Sequence, residues 1–233
     1  MDLSKRLQAV INMAGAGDIV ADVGTDHGYI PISLVESGKY QKAIAMDVNA
    51  GPLRRAKEHI ETYRLSDRME TRLSDGVQSL GKGECDTVVI AGMGGALTIK
   101  ILEEGDSIFR QLKKFVLQPQ SELHKVREYL CTHKFCIQDE DMVYDDGKFY
   151  TMMRVINGKS ETYNLSELRY GKCLFQKKHP VLKQFLEKEL EVKKKILLCL
   201  NDEPGEHTKR QQEVMKEMEE IQGALQRYYE VIE

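Results

Sequence analysis

The sequence predicts an α/β protein: an open, mostly parallel sheet followed by a C-terminal pair of long helices. Three observations carry this. Short β-branched runs alternate with stretches of helical apolar spacing in a repeating rhythm. Three of those runs end at an acidic residue, Asp22, Asp47 and Asp75. After about Gly158 strand signals thin out and helix formers take over.

Composition bounds the rest. The chain has 233 residues, 41% of them hydrophobic and 30% charged, enough for a sizeable core in a soluble protein. No apolar run approaches membrane-spanning length, and Met1-Asp2-Leu3-Ser4-Lys5-Arg6 lacks a signal-peptide core, so a cytoplasmic protein without membrane contact is expected. The five cysteines are scattered and no pair has zinc-ligand spacing. Reduced thiols and no metal are the expectation. With a net charge of −3, binding to nucleic acid would need a local basic patch.

Residues 3–13, with Leu3, Leu7, Val10 and Ile11 on one side, form an amphipathic helix. Lys5 and Arg6 lie on its other side, as a solvated face or as a basic edge near a ligand mouth. Ile19-Val20-Ala21-Asp22-Val23-Gly24-Thr25-Asp26-His27-Gly28-Tyr29 then reads as strand, tight turn and helix. Glycine at 24 and 28 lets the backbone take positive φ and approach a ligand. The next helix aims its first N–H groups at the same spot. In open α/β sheets this is where a cofactor sits.

The spacing bears on which cofactor. A dinucleotide fingerprint needs glycine where a pyrophosphate approaches. Asp26 stands there instead, and its carboxylate would repel two phosphates. A ligand with a positive centre and an amino group fits better, and S-adenosylmethionine has both. Asp22, Gly24, Thr25 and Gly28 are the expected contacts.

Lys42–Asp47 is the next strand, ending in an acid about twenty positions on, where ribose hydroxyls are bound in such folds. Val48 and Asn49 follow it at the ligand edge, then a helix from Pro52 with Leu53, Ala56 and Ile60. A third strand, Met69–Leu73, runs into Ser74-Asp75-Gly76. The continuous run Thr87-Val88-Val89-Ile90 predicts a strand buried on both faces, and it opens into Ala91-Gly92-Met93-Gly94-Gly95. Met93 is either an apolar wall for the ligand or core filling. Lys114–Gln118 gives a fifth strand, stopped by Pro119, and a helix with Leu123, Val126 and Leu130 follows. Phe135-Cys136-Ile137 and Phe149–Ile156 flank an Asp-Gly turn and read as an antiparallel pair.

Two domains are expected, 1–158 and 159–233. In the second, His179-Pro180 opens a helix with Leu182, Leu186, Leu190 and Leu197, and Asn201–Gly205 breaks it. A second helix carries Val214, Met218, Ile221, Leu225, Tyr228 and Ile232, a coiled-coil spacing. An antiparallel hairpin within a monomer is the economical arrangement, and a dimer through the seam stays open. The first of these helices holds the densest basic stretch, including Lys188, Lys193, Lys194 and Lys195. It reads as a solvated face or as a grip on a phosphate backbone.

Ser4-Lys5-Arg6-Leu7, Asp22-Val-Gly-Thr-Asp-His-Gly-Tyr, Ala45-Met-Asp-Val-Asn, Ser74-Asp-Gly and Ala91-Gly-Met-Gly-Gly, with the helical hairpin behind them, resemble the bacterial tRNA (adenine-22-N1)-methyltransferases. The likeness covers essentially the whole chain. It implies a class I methyltransferase fold, Rossmann-like with seven strands, and S-adenosyl-L-methionine as cofactor. It also implies methylation of N1 of an adenosine in the D arm of tRNA, with the helical domain as a tRNA-binding part. The chain lacks the Asn/Asp-Pro-Pro-aromatic sequence that exocyclic adenine methyltransferases carry after the fourth strand. On this reading Asp47 takes the ribose, Asp75 the adenine amine with Gly76 allowing close approach, and Asp26 is the catalytic carboxylate with His27 second. Holding the methionine part of the cofactor is the other role open to Asp26 and His27. Two rival readings remain: a class I methyltransferase acting on another RNA or a small molecule, and a non-catalytic RNA-binding protein that retains the cofactor fold.

Overall fold

A computed structural model describes residues 3–159, 161–202 and 208–229. The chain divides into two compact units, Met1–Thr162 and Tyr163–Glu233. The first is built on β1 (Ile19–Val23), β2 (Lys42–Asp47), β3 (Met69–Leu73), β4 (Thr87–Ala91), β5 (Lys114–Gln118), β6 (Phe135–Asp145) and β7 (Lys148–Asn157). Its helices are α1 (Lys5–Ala14), α2 (Tyr29–Glu36), α3 (Ala50–Thr62), α4 (Gly95–Glu104), the single turn α5 (Asp106–Phe109) and α6 (Leu123–Thr132).

The strands form one sheet in the order β3-β2-β1-β4-β5-β7-β6, parallel except for β7, which runs antiparallel to both neighbours. The apolar runs on β1, β4 and β5 are continuous because helices cover both faces. Val20, Val88, Val89, Phe115 and Val116 are fully buried. Ser4 caps α1 by accepting from the Leu7 N–H, and α1 buries Val10, Ile11 and Ala14 against the sheet. The Tyr40 hydroxyl, wholly buried, donates to the Ala14 carbonyl or the Thr87 hydroxyl, both at 3.0 Å. Strand order reverses between β1 and β4, which opens a crevice at their carboxyl ends.

The closing hairpin turns at Asp146 (φ 45°) and Gly147 (φ 78°), two left-handed residues as a two-residue hairpin of the primed type requires. Its first strand is longer than expected, running through Gln138-Asp139-Glu140-Asp141 to Asp145. Those acids do not break the strand because distant bases answer two of them. Arg127 on α6 meets Glu140 at 2.8 Å with both side chains buried, and Arg154 on β7 meets Asp139 at 3.1 Å.

The second unit starts with two short helices that the sequence did not signal, α7 (Leu165–Tyr170) and α8 (Lys172–Gln176). Asn164 and Glu167 form a capping box at the start of α7. The long helices are α9 (Pro180–Asp202) and α10 (Thr208–Tyr229). Three contacts fix them antiparallel: Tyr229 OH to the His179 carbonyl, Lys193 to Glu217, and Gln211 Nε2 to the Leu200 carbonyl. Leu182, Leu186, Val214, Ile221 and Ala224 are buried there, while Met218, Leu225 and Tyr228 are half-buried. Most of the expected break at Asn201–Gly205, and Ile232, lie outside the described residues. The basic stretch is not bare. Lys193 pairs with Glu217 at 2.6 Å and Lys194 with Glu191 at 2.7 Å.

Candidate active site

Three strand tips build the site. β1 carries Asp22, β2 ends in Asp47, and β3 leads into Asp75, so three carboxylates stand at the carboxyl ends of neighbouring strands. Asp22 is only 3% exposed. Burial pushes its carboxyl up from the ordinary value to about 7; the Thr25 side chain opposes the shift and the charge of Asp47 adds to it. The Thr25 hydroxyl is buried beside Asp22, outside strict hydrogen-bonding geometry. Asp47 Oδ1 accepts from the Asn49 N–H at 2.8 Å, a local turn that holds the carboxylate at the start of α3. Asp75 is exposed. Behind it the Ser74 hydroxyl donates to the Gly76 carbonyl and accepts from the Ser79 N–H. Val48 and Leu73 add two exposed apolar side chains beside Asp47, with which Leu73 pairs in register.

The glycine loop lies over β1 and β2. Gly24 (φ 77°) and Gly28 (φ 74°) take the left-handed conformation that glycine favours, and Asp26 (φ 43°) does so as well. The N–H groups of Gly24 and Thr25 both donate to the Met46 carbonyl, at 2.8 and 2.9 Å. On the other side, the loop after β4 is braced by the end of β5. Gly92 N–H donates to the Gln118 carbonyl and Gln120 N–H to the Met93 carbonyl. Met93 turns back onto Gly24.

Between these parts lies a cavity of about 390 Å³, whose walls include Arg6, Asp22, Gly24, His27, Tyr29 and Gln120. Thr25 and Asp26 also line it. A second cavity, about 310 Å³, opens at the amino-terminal ends of β1, β2 and β3, far from the three strand-tip acids. The first is the chemically equipped one. Arg6, on α1, is fixed at its rim. Its Nη1 donates to Gln118 Oε1 at 2.9 Å, its guanidinium lies 5.6 Å from the centre of the Tyr150 ring, and its backbone N–H donates to Asp145 Oδ2.

The structure therefore brings Asp22, Gly24, Thr25, Asp26 and His27 to one cavity, puts Asp47, Val48, Asn49, Asp75 and Gly76 at the adjoining strand tips, and lays Met93 across the glycine loop. Asp26 does not stand as a lone carboxylate. Arg55 Nη2 is 2.5 Å from its Oδ1, and His27 Nε2 is 3.7 Å from its Oδ2. Reasoning from sequence missed Gln118, Gln120, Arg55 and His59. Gln118 had a signal, a polar residue closing an apolar strand. Arg55 and His59 had none beyond their four-residue spacing. Among the described residues no group of three or more His, Cys, Asp or Glu could hold a metal ion, and no helix is long and apolar enough to cross a membrane.

Donor chemistry suits a sulfonium nucleoside: carboxylates for an ammonium and for ribose hydroxyls, and apolar flanks for a purine, while Arg6, the one arginine or lysine among the cavity's described lining residues, is already engaged by Gln118. Comparison with known proteins agrees. A family model described as tRNA (adenine(22)-N(1))-methyltransferase matches residues 20–223. The curated tRNA (adenine(22)-N(1))-methyltransferase of Bacillus subtilis is 37% identical over 153 residues, which span 66% of this chain and 64% of that protein, just under two thirds of its length. The crystal structure of the B. subtilis M1A22 tRNA methyltransferase TrmK superposes with a TM-score of 0.82 at 31% identity, covering 96% of this chain and 99% of that one. A Streptococcus pneumoniae protein solved in complex with S-adenosyl-L-methionine superposes with a TM-score of 0.86 at 32% identity, over 96% and 100%. The seven-stranded Rossmann-like sheet and its strand-tip acids thus have a family: the chain belongs to the tRNA (adenine(22)-N(1))-methyltransferases.

Proposed function

We propose that this chain methylates N1 of adenosine 22 in the D arm of tRNA, using S-adenosyl-L-methionine. The observation that carries the reading is the row of Asp22, Asp47 and Asp75 at the carboxyl ends of neighbouring strands, beside a glycine loop whose Gly24 and Thr25 amides are already bonded to the Met46 carbonyl. S-adenosylmethionine supplies an electrophilic methyl group on a cationic sulfur. Asp47 would accept from the cofactor's ribose hydroxyls and Asp75 from its adenine amine. Asp22, in its ionised form, pairs with the methionine ammonium. Val48 and Leu73 flank the purine, and Met93 covers the glycine loop.

Adenine N1 carries a lone pair and needs no covalent enzyme intermediate. The protein's work is alignment and exclusion of water. N1 is engaged in a paired duplex, so the base must be turned out into the cavity. Transfer would form the bond from N1 to the methyl carbon as the carbon–sulfur bond breaks to leave a neutral thioether, so positive charge grows on the purine. Asp26, which lines the cavity together with His27, is the candidate to stabilise that charge or to accept a proton from the exocyclic amine. The helical unit is the part assigned to the RNA backbone, with the exposed Lys195 of α9 as its candidate contact. The reaction belongs in the cytoplasm, with its substrate.

The test is to incubate the protein with labelled cofactor and unmodified tRNA and map the methyl group. N1-methyladenosine at position 22 is the expected product. Methyl transfer to another position or another acceptor overturns the reading, as does cofactor binding without turnover on any RNA.

A further inference from the structure

Two residues of α3, four apart and therefore on one helical face, reach the glycine loop side by side. Arg55 Nη2 meets Asp26 Oδ1 at 2.5 Å, and His59 Nδ1 lies 2.8 Å from the His27 carbonyl oxygen. A carbonyl only accepts, so Nδ1 of His59 carries the proton in this contact. The rings of His27, Tyr29 and His59 lie near-parallel, with centroids 5.3 to 5.7 Å apart. Between the two contacts the loop touches the helix itself. A Cβ on Gly28 would fall 3.3 Å from Ala56 Cβ and 3.5 Å from its Cα. Asp26 sits in the left-handed region, uphill for a residue with a side chain, and such conformations persist only where surrounding contacts hold them.

We propose that Arg55 and His59 are positioning residues for methyl transfer, a clamp that holds Asp26 and His27 at the acceptor side of the cavity. The inference rests on the function proposed above. Neither clamp residue touches the strand-tip acids assigned to the cofactor. Asp22, Asp47 and Asp75 are held by burial, by the Asn49 turn and by the Ser74 brace. Loosening the clamp therefore displaces Asp26 and His27 first, while Gly24 and Thr25 stay bonded to the Met46 carbonyl and the three acids keep their own braces. Small misplacements of such groups cost large factors in rate.

The experiment uses the full chain with Arg55→Met, Arg55→Lys, His59→Phe and His59→Gln. Three quantities are read: affinity for S-adenosylhomocysteine, kcat and KM for methylation of unmodified tRNA, and amide exchange at Gly28 and Tyr29. Arg55→Met is expected to lower kcat about tenfold or more while the affinity changes less than about twofold. Arg55→Lys, which keeps the charge, recovers part of the loss. His59→Gln keeps a donor for the His27 carbonyl and outperforms His59→Phe, which keeps only the ring. Amide exchange in the loop quickens in Arg55→Met and His59→Phe. Unchanged kcat in both of those variants overturns the clamp, and so does a parallel loss of cofactor affinity and kcat. Absence of methylation by the unaltered chain overturns the function instead; exchange in the same variants still decides whether Arg55 and His59 hold the loop.

Discussion

A Cβ built on Gly24 would come within 2.3 Å of Met93 Cε, so the glycine loop and the loop after β4 occupy one shared space. The clash is with the far end of a flexible side chain, which can swing away. The backbone penalty cannot, because Gly24 has φ 77° and an L-residue there costs about 1–2 kcal/mol. Gly24→Ala is expected to unfold a few degrees lower and to bind S-adenosylhomocysteine about tenfold more weakly, measured by thermal melt and calorimetry.

Gly95→Ala is the harsher change. Its Cβ would meet the Ser121 carbonyl oxygen at 2.5 Å and the Glu122 side chain at 2.9 Å. Backbone cannot swing away, so the first turn of α4 must move. We expect a loss of about 1–3 kcal/mol in unfolding free energy, together with weaker cofactor binding. Binding and stability equal to the unaltered chain would contradict this packing.

With Asp22 as the proposed partner of the cofactor's ammonium, cofactor binding is expected to depend on pH. Its folded-state carboxyl is raised from 3.8 to about 7, so the folded apoprotein holds a proton that the unfolded chain releases. The sign follows: this group favours the apoprotein most at low pH, and that contribution fades as pH climbs from about 4 towards 7. In the proposed function Asp22 pairs with the methionine ammonium in its ionised form. Affinity for S-adenosylhomocysteine should therefore strengthen from pH 6 to pH 8 and then level off, with proton release on binding. Asp22→Asn should flatten the profile. A profile equally steep in that variant would assign the pH dependence elsewhere.

Arg127 and Glu140 form a buried ion pair at 2.8 Å between α6 and β6. Removing one partner takes this ion pair from the other's buried charge, at about 3–5 kcal/mol. Arg127→Met or Glu140→Leu alone should lower the melting temperature sharply. The double variant should melt well above either single one, and additive losses would show that the two side chains act independently.

The lysines of α9 separate by their partners. Lys193, half-buried against Glu217, ties α9 to α10, and Lys193→Gln should cost at most about 1 kcal/mol of stability. Lys195 is exposed and is the better candidate for a phosphate. Lys195→Gln should weaken tRNA binding and reduce the slope of log affinity against log salt by about 1. An unchanged slope would leave that face to solvent.

Much of this was legible in the residues themselves, and the divide has a physical basis. The strand tips at Asp22, Asp47 and Asp75 follow from local periodicity, and the β6–β7 turn follows from Asp146-Gly147 chemistry. Both signals are contained in a few consecutive residues. The full length of β6 was not legible, because Asp139 and Glu140 read as loop until Arg154 and Arg127 are brought beside them by folding. Arg55 and His59 look like the solvated side of an amphipathic helix for the same reason: their partners are about thirty positions away. On α9 the sequence shows the charges of Lys193 and Lys194 but not their partners, since Glu217 and Glu191 answer them only once the helices are formed.

The Met46 carbonyl takes two amides of the glycine loop, and this limits how the fold could be redesigned. Changing Asp26 to glycine would supply the second glycine of a dinucleotide signature without creating an anion cradle, since those two donors would still face the neighbouring strand. Retargeting the scaffold to a phosphorylated cofactor would first require re-laying the end of β2. Selectivity against such molecules is thus written into main-chain geometry, where a single side-chain exchange does not reach it.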